Sequence, residues 1–286
     1  MDRVARLRRF FANYITVLAA VTDPRIEAAF AAVPRAPFAG PGPWSIAIPG
    51  RGYVRTPDDD PAFLYQDTLV ALDAARGINI GEPHAHAAWL EALGLIGGET
   101  VLQVGAGSGY YTAILAELAG PAGHVVAYEI DPALARRARD NLGPWPQVEL
   151  RARSGIADDL PKSDAIYVCA ALTQPSWAWL DALLPGGRLI FPLHGERSMG
   201  GMLRLTRPDY PPTRHRPIWP ARFITQAGFI PCTGPQQPQT GRRLAAAFRA
   251  GGWQDVRSFR LDAPDIATCW FAGDDWWLST RDPDEG

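Results

Sequence analysis

The sequence predicts an α/β fold: a doubly wound, Rossmann-like, mostly parallel sheet with helices on both faces. Three observations predict it. Short apolar runs alternate with helix-length segments over residues 99–195, which is the pattern of repeated βα units. The apolar run Val101-Leu102-Gln103-Val104 leads into glycines on alternate positions, Gly105, Gly107 and Gly109, and then into a helical pattern from Tyr111 to Leu118. A strand that ends in such a turn and feeds a helix brings bare backbone N–H groups close to a ligand. A second apolar run, His124 to Asp131, places Glu129 about 20 residues past the last glycine, where an acid at a strand end accepts ribose hydroxyls.

Within the α/β region the spacing predicts strands at 101–104, 124–129, 147–151, 164–169 and 187–192. It predicts helices at 110–119, 132–142 and 175–184, with a short helical turn near 156–160. Ligands in such sheets bind beyond the carboxyl ends of the strands. Those ends fall at Gly105-Ala106, Glu129-Ile130, Ser154-Gly155 and Cys169-Ala170-Ala171.

Before this region, residues 1–40 read as two helices. The first would bury Val4, Leu7, Phe11, Tyr14 and Leu18 on one face. The second has Asp23 as N-cap and Pro24 at its first position. Residues 39–62, rich in Gly and Pro, read as loop, and the acidic run Asp58-Asp59-Asp60 reads as a solvated helix cap. A helix is expected from Pro83 to Leu93, ending before Gly94.

After this region, 201–206 reads as a strand pairing antiparallel with 187–192. Residues 207–220 form a Pro- and Arg-rich loop, 241–250 a helix and 256–261 a strand. Thr268–Leu278 reads as a hairpin turning near Gly273-Asp274-Asp275. Composition divides the chain into an N-terminal helical and loop segment (1–75), a ligand-binding α/β domain (76–235) and a small α+β C-terminal extension (236–286) that holds Trp253, Trp270, Trp276 and Trp277.

Bulk properties exclude several classes. At 286 residues, 47% hydrophobic and 20% charged, the chain can bury a full core and is not a disordered or low-complexity protein. A formal net charge of −2 gives no electrostatic case for nucleic acid or an anionic membrane. No apolar run is long enough to span a bilayer. Cys169, Cys232 and Cys269 are too scattered for a disulfide framework or a zinc site, so a cytoplasmic setting and no metal are expected. Oligomeric state leaves no mark in the sequence.

The glycine turn with Glu129 suits an adenosine-containing cofactor. Tyr110 stands where a dinucleotide fingerprint has its third glycine, which favours S-adenosylmethionine over NAD. Cofactor contacts are therefore expected from Gly105, Ala106, Gly107, Gly109, Tyr110, Glu129, Ile130, Ser154, Gly155 and Ala170. Asp131, followed by Pro132, reads as the cap of the next helix.

Several stretches together resemble the protein-L-isoaspartate O-methyltransferase family of class I S-adenosylmethionine-dependent enzymes. They are Ala28-Ala29-Phe30 with Val33-Pro34-Arg35; Tyr65-Gln66-Asp67; Ile80-Gly81-Glu82-Pro83; Val101 to Tyr110; Asp164 to Val168 with Ala170-Ala171; Pro185 to Leu189; and Phe229-Ile230-Pro231. The resemblance runs from Ile26 to about Gly234. It implies the class I methyltransferase sheet, S-adenosylmethionine as donor with S-adenosylhomocysteine as product, and O-methylation of a carboxylate on a protein or peptide. It places Tyr65 and Asp67 on the substrate side and the Gly81 position at the methyl-transfer site, where Glu82 and His84, close to Gly81 along the chain, are further candidates. Two stretches depart from the family pattern. Its Ile-Ser-Gln-Pro turn reads Ile80-Gly81-Glu82-Pro83 here, without the serine placed at the substrate carboxylate, and its Gly-Asp-Gly reads Arg153-Ser154-Gly155.

Methyl transfer from a sulfonium is an in-line displacement, so the protein supplies alignment and desolvation. A carboxylate acceptor needs no base at neutral pH, whereas an amine or alcohol usually does. Glu82, His84 and His86 are the candidate bases. Two other readings stay open at this point: a methyltransferase acting on a small metabolite or modified peptide with Glu82 or His84 as base, and a cofactor-binding module without catalysis.

Overall fold

The computed structural model describes residues 2–195, 200–209, 218–232 and 237–284. The chain forms two compact units, Met1–Gly155 and Ile156–Gly286, where composition alone drew its boundaries at 75 and 235.

In the first unit, α1 (Arg3–Leu18), α2 (Pro24–Ala32) and the short α3 (Ala36–Ala39) come first. The α1 face is not the one predicted. Phe11, Ala12, Ile15 and Thr16 are buried, while Tyr14 and Leu18 are exposed. The buried stripe is rotated because Phe11 meets Phe30 and Tyr65 edge-on. Asp23 caps α2 through the Arg25 N–H, as its sequence predicts.

The predicted loop 39–62 holds a hairpin instead, β1 (Ser45–Ile48) against β2 (Gly52–Arg55). Pro49-Gly50 supplies the reversal and β-branched or aromatic residues flank it. Asp60 caps the 3-10 turn Pro61–Phe63 and pairs with Arg3 at 2.9 Å. A second short pair, β3 (Ala71–Asp73) with β4 (Ile78–Asn79), precedes α4 (Pro83–Leu93).

Then comes the predicted alternation: β5 (Thr100–Val104), α5 (Tyr110–Ala119), β6 (His124–Tyr128), α6 (Pro132–Asn141) and β7 (Val148–Arg151). β5, β6 and β7 pair in parallel. The central residues of β5 and β6 are buried, which matches continuous apolar runs rather than alternating ones, while β7 at the edge of the sheet is partly exposed. Residues 156–160 form a turn and no helix.

In the second unit, β8 (Ser163–Val168) and β9 (Leu183–His194) are parallel across α7 (Trp177–Ala182). β10 (Gly200–Thr206) returns antiparallel on β9, the pairing the sequence predicts. β11 (Ile218–Gln226) pairs antiparallel with β10. This strand was not predicted, because Pro220 interrupts its pattern; most of the loop before it lies outside the described residues. α8 (Pro238–Ala250), β12 (Ser258–Arg260), β13 (Cys269–Ala272) and β14 (Trp277–Ser279) complete the unit. The β13–β14 pair is the predicted hairpin. The tryptophans form a core rather than a tail: Trp253 and Trp270 close on Phe223 edge-on, and Trp270 on Phe248.

Candidate functional site

Two glycine turns of the first unit carry the site residues expected from the sequence, and each is pinned differently. The first is the turn after β5. Gly105 and Ala106 donate to the Tyr128 carbonyl at 2.9 and 3.0 Å, which ties the turn to the end of β6. Gly109 sits at φ +96°, and a Cβ there would stand 3.1 Å from Leu142. The left-handed backbone and this close approach together require glycine.

Glu129, one residue past β6, is 7% exposed. Its Oε2 accepts the Gly107 N–H at 2.7 Å and its Oε1 the Asp131 N–H at 2.9 Å. Burial pushes its carboxyl above the usual range, against the pull of those backbone donors. Each oxygen keeps lone-pair capacity for one more donor. The carboxylate is thus held beside the turn as an acceptor with lone-pair capacity left, a chemistry that fits a ribose hydroxyl. Ile130 follows, 49% exposed, as an apolar surface beside the carboxylate. Asp131 caps α6 through the Ala133 and Leu134 N–H groups. Ser154 is half-buried, and Gly155 stands so close to Val104 and Tyr128 that a Cβ would come within 3.0 Å of both. Tyr110 does not present its ring: it is 1% exposed and packs edge-on against Phe30 and Phe38. Only its backbone is left to meet a ligand. Ala170, half-buried, follows β8 in the second unit.

The second turn carries Gly81, at φ +94°. Gly81 N–H donates to Asn79 Oδ1 at 2.8 Å. A Cβ at this position would overlap His86 Nε2 and stand 3.2 Å from Tyr111. His86 is 2% exposed and stacks face to face on Tyr111, ring centroids 3.5 Å apart. Burial, reinforced by the Arg35 charge, holds its imidazole well below its ordinary pKa. His86 is therefore a neutral core residue and not the base that its position in the sequence allowed.

The other residues expected on the substrate side divide. Asp67, Glu82 and His84 come together, with one ligand atom from each lying within 4.8 Å of the others. Asp67 accepts both the His84 backbone N–H at 2.9 Å and its Nδ1 at 2.7 Å. A carboxylate has no proton to give, so Nδ1 is the donor in this contact. Glu82 is exposed; desolvation raises its carboxyl, nearby His84 lowers it and Asp67 raises it again. Tyr65 stays apart, 7% exposed and packed against Phe11.

What organises this turn is a residue to which the sequence assigned no role. Arg35 is 0% exposed. Its Nη1 donates to the Leu64 and Gln66 carbonyls at 3.0 Å each, and its Nη2 to Thr68 at 3.1 Å and Gly81 at 3.3 Å. The planar fork reaches four carbonyls on two segments, which a lysine could not do. The flanking Phe11 and Tyr110 rings lie 5.5 and 5.6 Å from the guanidinium carbon. The only advance signal was Arg35 within Val33-Pro34-Arg35. The β3–β4 hairpin reaches the first turn: Leu72 lies 3.6 Å from where a Gly107 Cβ would be, and Arg76 pairs with Asp131 at 2.7 Å.

The sequence profile of the protein-L-isoaspartate(D-aspartate) O-methyltransferases matches residues 47–228. A protein-L-isoaspartate O-methyltransferase of Rhodopseudomonas palustris strain HaA2 is 34% identical over 212 residues, covering 73% of this chain and 78% of that protein. One from strain CGA009 of the same species is 30% identical over 229 residues, covering 79% and 94%. A Plasmodium falciparum structure described as a protein-L-isoaspartate O-methyltransferase with S-adenosyl-L-homocysteine superposes with TM-score 0.61 at 18% identity, covering 79% of this chain and 98% of that one; this likeness concerns the fold. No helix among the described residues is long and apolar enough to cross a membrane. With the glycine turn and its carboxylate in place, the chain belongs to the protein-L-isoaspartate O-methyltransferase family and is an S-adenosylmethionine-dependent methyltransferase.

Proposed function

We propose that this protein methylates a carboxylate of isoaspartyl type on a polypeptide, with the donor held by the turn at Gly105–Gly109 and the acceptor received by the turn at Gly81. The observation that carries the reading is the Glu129 carboxylate, buried and fastened to the glycine turn through Gly107. In this reading Glu129 holds the ribose hydroxyls, Ile130 and Ser154 flank the adenine, and the turn backbone meets the methionine end. Bound S-adenosylmethionine supplies an electrophilic methyl group. The chain's own part is to align the acceptor oxygen with it and to exclude water. A carboxylate acceptor needs no proton removed, so the Asp67–His84 pair serves as a fixed wall and not as a base. Residues 76–235 hold the donor, Arg35 and the 64–68 segment support the acceptor turn, and the Trp-rich extension 236–286 is an addition to them. A cytoplasmic setting goes with free cysteines at 169, 232 and 269.

Calorimetry with S-adenosylhomocysteine, followed by transfer of labelled methyl to an isoaspartyl peptide, tests this reading. Wild type should bind and transfer, with a rate nearly flat from pH 6 to 8; a rate that titrates there would instead make His84 a base. Glu129→Ala should weaken S-adenosylhomocysteine binding by about 1–3 kcal/mol. Unchanged affinity would remove Glu129 from the site.

A further inference from the structure

An open cavity of about 280 Å³ lies in the first unit, walled by Pro41, Pro43, Trp44, Ser45, Leu72 and Arg137 together with three alanines. Arg137 is the one charged group on that wall. Its guanidinium is seated by the segment between α3 and β1. Gly40 has φ +76°, and a Cβ there would stand 2.7 Å from Arg137 Nη2, so a side chain at 40 would take the space that the guanidinium uses. Arg137 Nη2 donates to the Phe38 carbonyl at 2.6 Å, and Trp44 Nε1 to the Gly40 carbonyl at 2.8 Å.

Other arginines of this unit sit on carboxylates: Arg25 on Asp23, Arg76 on Asp131 and Arg151 on Glu149. Arg137 does not. It is half-buried on α6, its partner Phe38 offers a neutral carbonyl, and it makes no ion pair among the described residues. Burial holds its pKa below the ordinary value. A guanidinium carries several N–H donors, of which the Phe38 carbonyl takes one. None of the Arg137 nitrogens is sealed from solvent without a partner, so the remaining donors are open at the cavity they line. A half-buried charge with donors to spare and no acid beside it is costly alone and complementary to an anion that enters.

Charge and size decide which anion fits. One guanidinium balances a single negative charge and pairs bidentately with a carboxylate, whereas a phosphate would keep an excess of charge in the cavity. The volume lies below the range of about 300–1,000 Å³ usual for whole small-molecule ligands. It suits one side chain, with its methylenes against Pro41, Trp44 and Leu72. The β3–β4 hairpin links the cavity to both turns. Its Leu72 lines the cavity and lies 3.6 Å from where a Gly107 Cβ would be. At its other end Asn79 Oδ1 accepts the Gly81 N–H at 2.8 Å. We propose that this cavity is a subsite in which Arg137 holds an acidic side chain, Asp or Glu, of the polypeptide acceptor, close in sequence to the residue that is methylated. That the polypeptide is a methyl acceptor rests on the function proposed above; the carboxylate chemistry of the cavity does not.

The test uses the full chain. Isoaspartyl hexapeptides carry one Glu walked through the positions flanking the isoaspartate, each with a Gln counterpart. Transfer of labelled methyl gives KM for every pair, and calorimetry in excess S-adenosylhomocysteine gives Kd. In wild type one position should favour Glu over Gln by about tenfold or more in KM and Kd, with matching kcat. Arg137→Gln should abolish that preference, and Arg137→Lys, which keeps the charge but not the fork, should leave part of it. Each preference is read within one protein, so a smaller folded fraction does not alter it. Should Arg137→Gln lose its fold along with the Phe38 contact, Arg137→Lys carries the test. No Glu preference at any position, an undiminished preference in the variants, or a preference expressed in kcat alone would each overturn the proposal. Inorganic phosphate that erases the wild-type preference at concentrations where acetate does not would also overturn it, in favour of a phosphate site. Absence of transfer to every peptide would count against the proposed function alone, and the Kd comparison would still decide the subsite.

Discussion

The turn after β5 and the turn before α4 are both glycine turns ahead of a helix, but they are built on opposite logic. The cofactor-side turn is pinned at its N–H groups by acceptors one strand away, the Tyr128 carbonyl and the Glu129 carboxylate. The acceptor-side turn is pinned at its carbonyl by a donor 46 residues upstream, Arg35. It is also packed from beneath by the His86–Tyr111 stack. The first turn is a local device that any adenosine-binding βαβ unit can carry. The second is an assembly of three separate segments and is where this chain departs from its family's serine.

The comparison breaks most visibly at Arg35. Arg35→Met leaves the carbonyls of 64, 66, 68 and 81 without their donor. By the usual cost of stripping a partner from a buried charged network it should destabilise the protein by about 3–5 kcal/mol in urea titration. A loss below about 1 kcal/mol would show that the guanidinium does not hold the turn. Next in size is Gly81→Ser, which brings back the family residue. The positive φ and the overlap with His86 Nε2 should together cost about 2–4 kcal/mol and lower transfer activity. S-adenosylhomocysteine affinity should stay nearly unchanged, because Glu129 and Gly107 are untouched. Adding His86→Ala should recover part of the stability. A Gly81→Ser protein as stable as wild type would mean that the backbone at 81 can turn over.

The smallest effect is a pH slope. The folded pKa of His86 is depressed, so below about pH 6.5 the unfolded chain takes up a proton that the folded chain refuses. Stability should therefore fall as pH drops from 7 towards 5, by at most about 1.4 kcal/mol per pH unit for one proton. His86→Phe, which keeps a ring on Tyr111, should remove that component of the slope in thermal melts. An unaltered slope would place the titration elsewhere.

Particular residues show why one turn was legible and the other was not. Gly105, Gly107, Gly109 and Glu129 lie within one βαβ unit, so their spacing along the chain is already their geometry. The hairpin at 45–55 was hidden by its glycines and prolines, and β11 by Pro220, because sequence patterns weigh those residues as breakers. The buried face of α1 was misplaced because partners on α2 and at Tyr65, not helical period alone, choose which stripe is covered. His84 and His86 have the same chemistry and sit two residues apart. Only packing made one a half-exposed partner of Asp67 and the other a neutral core ring.

By itself the sequence determined the α/β alternation, the glycine turn with its carboxylate and the methyltransferase family. Each of these is written in residues close along the chain or in a motif with a fixed spacing. The tertiary structure alone decided that Arg35 joins the acceptor-side segments, that no side chain fits at Gly81 above His86, and that Arg137 meets the Phe38 carbonyl. Those are contacts between distant segments, and no periodicity or propensity encodes which distant groups will meet.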